Sequence, residues 1–259
     1  MIRALWNLIA VIVKLALILF GLFITYHLVT VGFYLVTTPQ LLKADLLEIT
    51  EGETQTITYI EEKPVANKQE FRIQYVTQEE IAETFLWSVV AIEDERFRQH
   101  GGVDYYAIVR ASYNNLLARE YMQGGSTITQ QLAKNLYLSP DKRFSRKLVE
   151  VYFAKRLEAR FTKDEILEMY VNQIYYGQGM YGIERAAEHF FGKQAIELDI
   201  AEAAFLAGIL QAPSVYSNPA NLELALQRQY TVLERLVEQN YISQDQATKA
   251  LEIFVLTEH

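Results

Sequence analysis

The chain has 259 residues, 51% of them hydrophobic and 22% charged, and no cysteine. These values exclude a disordered or collagen-like polymer, a disulfide framework and a thiolate metal site, and the four scattered histidines (His27, His100, His189, His259) do not suggest a zinc cluster. Residues 1–36 carry only Arg3 and Lys14, so the net charge of -8 leaves the rest of the chain strongly acidic and a poor general binder of nucleic acid.

Residues 15–36 form an apolar run whose one titratable group is His27. As a helix the run is about 33 Å long, enough for a hydrocarbon core of about 30 Å, and a transmembrane helix is predicted there. A cleaved signal peptide fits less well, because its apolar region is about 7 to 15 residues and ends in small residues, whereas this run ends in Tyr34, Leu35 and Val36. Arg3 and Lys14 precede the run, and Asp45, Glu48, Glu51 and Glu53 surround Lys43 after it. The positive-inside rule therefore puts the amino terminus in the cytoplasm and residues 37–259 outside.

Residues 37–76 contain two short stretches that alternate apolar and polar side chains, QTITYI and EFRIQYV, and read as a β-like stalk or hairpin. From Thr77 the pattern turns helical. Capping boxes at Thr77/Glu80, Thr162/Glu165 and Ser243/Gln246, with an Asp199/Glu202 analogue, each open a segment with helical apolar spacing. Helices are predicted over 78–98, 104–119, 126–138, 143–161, 163–174, 182–191, 199–210, 221–240 and 243–253. The predicted organisation is thus residues 1–36 as cytoplasmic terminus and anchor, 37–76 as stalk, and 77–259 as an all-α domain.

Three polar stripes interrupt this apolar pattern. In EDERFRQHGG, Glu93, Phe97 and His100 fall on one face of a continuing helix, directly after the run FLWSVVAI. A carboxylate at the edge of a core loses hydration, which raises its pKa toward that of a useful general base, whereas an ordinary helix end would leave it solvated. Gly101 and Gly102 supply the expected helix stop. In GGSTITQQLAKN, Ser126 reads as the N-cap, and Thr127, Gln131 and Lys134 share a face. Free backbone N–H groups behind a Gly-Gly pair suit an anion, most naturally a phosphate. In RKLVE, Arg146 and Glu150 are four residues apart, within a stretch (134–163) that holds nine basic and three acidic residues. So basic a segment in an acidic domain points to an anionic ligand or surface, against the alternative of an exposed helix ion pair worth about 0.3 to 0.5 kcal/mol. Two formal matches fail: Gly124–Ile128 lacks the last glycine of G-x-S-x-G, and Ser139–Lys142 has no K-T-G partner.

Together the segments resemble the peptidoglycan glycosyltransferases of glycosyltransferase family 51, which occur as domains of bifunctional penicillin-binding proteins and as monofunctional membrane-anchored enzymes. The motifs that carry the resemblance are EDERFRQHGGVD (93–104), GGSTITQQLAKN (124–135), RKLVE (146–150), YVNQIYYGQGMYGIERAAEHFFGK (170–193) and AEAAFLAGILQAPSVYSNPAN (201–221). Val171 stands where the family commonly has Leu, a conservative change. The resemblance implies a lysozyme-like helical fold of two lobes, the smaller dipping into the membrane, a role that suits Leu116, Leu117, Tyr121 and Met122. It implies polymerisation of lipid II: the 4-hydroxyl of an acceptor attacks the anomeric carbon of the lipid-linked chain with inversion and expels polyprenyl pyrophosphate.

On this resemblance Glu93 is the general base, with Asp94, Phe97 and His100 shaping its pocket. Ser126, Thr127, Gln130, Gln131, Lys134, Asn135, Arg146 and Lys147 hold sugar-phosphate and pyrophosphate groups. Glu150 is the second carboxylate, orienting the donor or helping to bind a divalent cation, magnesium or manganese; no nucleotide and no zinc are implied. The expected partners are lipid II, the growing glycan, membrane lipids and other cell-wall synthesis proteins, with no nucleic acid. The expected place is the bacterial cytoplasmic membrane, catalytic domain on the outer side. Because the sequence stops about 40 residues past the last motif, a monofunctional enzyme is expected. A lysozyme-like muramidase and a catalytically silent glycan-binding scaffold are the competing readings; the first also uses carboxylates in a helical cleft but does not need the basic donors.

Overall fold

The computed structural model describes residues 2–37, 74–118, 125–137 and 144–256. The expected stalk falls almost wholly outside them. Helix α1 spans Ile2–Thr37, and its described side chains between Val11 and Val29 are exposed. Among the described residues no helix is long and apolar enough to cross a membrane.

The remaining helices follow the predicted pattern closely: α2 is Glu83–Glu93, α3 Tyr105–Ala118, α4 Ile128–Tyr137, α5 Phe144–Glu158 and α6 Lys163–Gln173. After them come α7 (Ile183–Phe191), α8 (Ile200–Ile209), the single turn α9 (Pro213–Tyr216), α10 (Leu222–Glu238) and α11 (Gln244–Leu256). Their starts are set locally. Reciprocal side-chain and backbone bonds form at Thr162/Glu165 and Asp199/Glu202, and the Ser243 and Gln246 pair closes in the same way. The fourth box, Thr77/Glu80, forms too, but opens only a 3-10 turn over Gln78–Glu80.

Two expectations need correction. The single helix predicted over 78–98 is broken: Ile81 is extended after the first turn, and α2 ends at Glu93 because Asp94 leaves helical geometry (φ -156°, ψ 71°). A second 3-10 turn covers Phe97–Gln99. The domain is also not purely helical. Strands β1 (Tyr175–Gly177) and β2 (Met180–Tyr181) pair antiparallel, with Tyr175 opposite Tyr181 and Gly177 opposite Met180. Gly177, Gln178 and Gly179 all take positive φ in that hairpin (91°, 50° and 82°). At Gly177 a Cβ would also strike the Ser217 side chain and come within 2.7 Å of Pro213 O, so hairpin and α9 meet only because that side chain is missing.

Helix α8 is the centre of the domain. Apart from Glu202 in its first turn its sequence is apolar on every side, and every residue from Ala201 to Ile209 is buried, as expected of a helix surrounded by others. Helices α2, α10 and α11 pack around it, while α4 lies between α5 and α6. One apolar core runs through both groups, with Phe85, Val89, Leu132, Phe153, Tyr170 and Leu206 among its members. Outside it, Tyr105, Tyr106, Val109 and Tyr113 on α3 leave large apolar surfaces more than half exposed.

Candidate active site

The core run of α2 ends at Glu93, which places the carboxylate at the rim of the core, partly exposed but closely ringed by protein. From α4, Gln131 donates its Nε2 to Glu93 Oε2 at 2.7 Å, and from α6 the Tyr170 hydroxyl donates to Gln131 Oε1 at 3.1 Å. Burial pushes the Glu93 pKa upward. The Gln131 hydrogen bond and the positive charges of Arg228 and Lys134 pull it down, while Asp94 adds to the rise. Burial wins, and the carboxyl stands above its ordinary range. Burial, reinforced by Glu93, likewise holds the fully buried Tyr170 phenol far above its usual range, so it stays a neutral donor. A raised, oriented carboxylate is what a general base acting near neutral pH requires.

Glu93, Phe97 and His100 do not share a helix face, because α2 has already stopped. The chain instead folds back, so that His100 Nε2 lies 3.0 and 3.1 Å from the two oxygens of Asp94. Asp94 Oδ2 also accepts the backbone N–H of Ile128, at the first residue of α4, at 3.0 Å. That contact engages one of the N–H donors at this helix start with a carboxylate of the protein itself. The N-cap is Thr127 and not Ser126: Thr127 Oγ1 accepts from Gln130 N, and Gln130 Oε1 accepts from Thr127 N, both at 3.1 Å. The Thr127 hydroxyl donates to Gly102 O at 2.7 Å. Phe97, Thr127 and Gln130 are buried, and Phe97 has Lys163 Nζ at 4.3 Å from its ring centroid. These three side chains hold the 94–104 loop against α4 from within.

The second carboxylate is reached from the same helix start. Lys147 on α5 donates to Ser126 Oγ at 2.8 Å and to the buried Glu150 at 2.5 Å. Glu150 therefore pairs with a residue three positions back; the Arg146 side chain lies outside the described residues. Lys134 is exposed and Asn135 half-buried on α4. So α4 supports Glu93 through Gln131 and, through Ser126 and Lys147, Glu150.

Asp94, His100 and Asp104 bring one ligand atom each within 4.8 Å of one another. Their atoms are engaged with protein, however: Asp94 by Ile128 and His100, Asp104 by Arg96 at 3.2 Å and by the Ala107 N–H. They form a hydrogen-bonded knot, not an open set of ligands. Glu150 offers one buried carboxylate, which suits a magnesium-type ion only with further oxygens from substrate phosphates.

Sequence reasoning missed three residues. Tyr170 supports the Glu93 partner, Asn172 clamps the backbone N–H and carbonyl of Val76 with its side-chain amide, and Arg228 acts on Glu93 from α10. Tyr170 and Asn172 lie inside a quoted motif, but nothing in their local spacing reveals a partner more than thirty positions away.

Residues 61–237 match the family model described as Transglycosylase. A Cupriavidus necator protein named as a transglycosylase is 49% identical over 177 residues, 68% of this chain and 76% of that protein. Penicillin-binding protein 1A of Aquifex aeolicus is 46% identical over 68% of this chain, and that of Neisseria gonorrhoeae 39% identical over 90%. The chain spans only 24% and 30% of those two longer proteins. A crystal structure of penicillin-binding protein 1A from Haemophilus influenzae is 22% identical over 70% of this chain and 17% of that one, with a TM-score of 0.38, too slight a likeness to define the fold. With five ordered motifs and a family match over most of its length, the chain belongs to the transglycosylase family, the peptidoglycan glycosyltransferases.

Proposed function

We propose that the protein polymerises lipid II, transferring the lipid-linked growing glycan to the 4-hydroxyl of an acceptor with inversion and release of polyprenyl pyrophosphate. The observation that carries this reading is Glu93: a carboxylate of raised pKa, oriented by Gln131 and Tyr170, with cationic side chains on neighbouring helices. In the proposed step Glu93 takes the proton of the acceptor hydroxyl as oxygen attacks the anomeric carbon. Lys134, Arg146 and Lys147 balance the charge that builds on the departing pyrophosphate. Glu150 orients Lys147, and with oxygens of the substrate pyrophosphate it would hold a divalent cation, which would supply further charge neutralisation.

A lipid-linked substrate calls for a cleft at the bilayer surface. We assign the apolar run 15–36 within α1 as the anchor, amino terminus inside, and the exposed Tyr105, Tyr106, Val109 and Tyr113 of α3 as a second face toward the membrane. The proposed setting is the outer side of a bacterial cytoplasmic membrane. The test is incubation of the detergent-solubilised protein with lipid II. Long strands that muramidase digestion shortens are expected; unchanged lipid II overturns the reading, and cleavage of preformed strands would favour the muramidase instead.

A further inference from the structure

We propose that Tyr170 is a positioning residue for Glu93: by fixing which way the Gln131 amide faces, it leaves Oε1 of Glu93 as the oxygen that takes the proton. The inference rests on Glu93 acting as the base. An ionised carboxylate can only accept, so the end of the Gln131 side chain that lies 2.7 Å from Glu93 Oε2 is the NH2 group. The carbonyl then faces away from Glu93, and there the Tyr170 hydroxyl meets it at 3.1 Å. Oε2 is thereby engaged. Oε1 accepts no hydrogen bond among the described residues and is left to the acceptor hydroxyl of the substrate.

The hydroxyl has little choice of partner. Tyr170 is fully buried, and Gln131 Oε1 is the one acceptor it reaches among the described residues. Were the amide to turn over, its carbonyl would face an anion and the phenolic proton would be stranded in the core, which is costly for a buried donor. Helix α6 is itself held from its other side. Asn172 donates Nδ2 to Val76 O at 2.9 Å and accepts from Val76 N at 3.0 Å. Glu168 accepts from the Tyr75 hydroxyl at 2.7 Å and from Gln78 N at 2.8 Å. Positions 168 and 172 share one face of α6, and position 170 between them points about 200° round the helix from each. The strap over 75–78 thus fixes the back of α6 while Tyr170 reaches Gln131 from the front.

Tyr170, Gln131 and Glu93 are aligned head to tail, so each bond polarises the next and the ionised carboxylate is favoured. The Gln131 bond acts against the burial that raises the Glu93 pKa. The other groups bearing on Glu93 are Lys134 from α4, Arg228 from α10 and the adjacent Asp94, and removing the phenol oxygen alters none of them. Tyr176, the other buried phenol nearby, is committed to Val171 O at 3.1 Å and does not serve Gln131. Loss of the Tyr170 hydroxyl therefore shows as Glu93 taking its proton at higher pH, an effect that looser packing alone does not produce.

The test is the pH dependence of lipid II polymerisation by the full-length protein, Tyr170→Phe, Gln131→Met and the double variant. In Tyr170→Phe kcat is expected to fall about tenfold with KM little changed, and the acid limb of kcat/KM to move up by about 0.5 pH unit. Gln131→Met should lower kcat and move the limb in the same direction. Adding Tyr170→Phe to it should change neither further, because the amide through which the hydroxyl acts is gone. Equal losses from Tyr170→Phe with and without Gln131 would make the phenol a packing residue and overturn the proposal. So would an unmoved acid limb in Gln131→Met, a result that stands even where Tyr170→Phe fails to fold. A readout without turnover is the fall in melting temperature caused by Tyr170→Phe, taken at pH 4 and pH 8 in wild type and in Glu93→Gln. It should be largest in wild type at pH 8, where the far end of the relay is ionised; the same fall in every case contradicts the relay. If Glu93→Gln keeps normal turnover, Glu93 is not the base and the assignment of its oxygen falls, while the melting series still reports on the relay.

Discussion

Asp94 accepts the backbone N–H of Ile128 at 3.0 Å, so a carboxylate just past the end of α2 sits at the beginning of α4. The contact fixes Glu93, one residue earlier, relative to Gln131 on α4. It also divides the labour of two adjacent acids: Asp94 is spent on architecture, and Glu93 is left for the proposed chemistry. Asp94→Ala removes the acceptor for both Ile128 and His100 and is expected to destabilise the protein by about 2 to 3 kcal/mol, in line with loss of hydrogen bonds to a buried charge. Asp94→Asn should cost less, because it keeps an acceptor. Denaturant midpoints for the two variants check the order.

Gly102 is a second fixed point of the same loop. Its φ is +85°, and a Cβ would come within 3.0 Å of Ala154 O and 3.1 Å of Glu158 Cγ. Gly102→Ala combines backbone strain with a clash on α5, for an expected loss of about 2 to 3 kcal/mol. Urea unfolding at constant m-value measures it; a change under 0.5 kcal/mol would show that the loop shifts without cost.

The raised pKa of Glu93 has a consequence for stability. A carboxylate with a folded pKa above its unfolded value, about 4.3, contributes stability that is fully present below the unfolded pKa and is lost as pH rises through the folded one. Glu93→Gln, which cannot ionise, is therefore expected to melt higher than wild type at neutral pH, with the advantage shrinking toward pH 4. A variant that melts lower at pH 7 would mean that the carboxylate is stabilised where it stands.

Lys147 bridges Ser126 and Glu150, and it is 45% exposed on its side chain, so solvent screens the pair. Lys147→Gln should cost only about 1 kcal/mol in stability. Its expected effect on binding is larger, roughly a tenfold weaker affinity for a pyrophosphate-bearing donor analogue. Calorimetric titration alongside melting curves separates the two. Unchanged affinity would free Lys147 from the donor site and leave it as a support for Glu150.

Much of this was legible in the residues, and what escaped has a common cause. The capping boxes at Thr162 and Asp199 act within four residues, so local spacing located the starts of α6 and α8. The apolar run that leads into Glu93 puts its carboxylate at the rim of the core, where the structure has it. The break after Glu93 was hidden, since it depends on Asp94 finding Ile128 more than thirty positions away. Ser126 reads as the cap because it follows two glycines, yet the Gln130 amide closes on Thr127. Arg228 gave no signal at all: an arginine on an amphipathic helix reads as surface until Gly208 is seen to admit its stem.

The central claim is that Glu93 is the base. The most direct measurement compares wild-type protein and Glu93→Gln for the rate of glycan synthesis from lipid II and for affinity toward a non-reacting donor analogue, at a temperature where melting curves show both to be folded. Glutamine keeps the shape and a hydrogen-bonding oxygen toward Gln131 but cannot take a proton, so synthesis is expected to fall roughly 100-fold or more with donor affinity little changed. Synthesis within a few-fold of wild type would contradict the assignment.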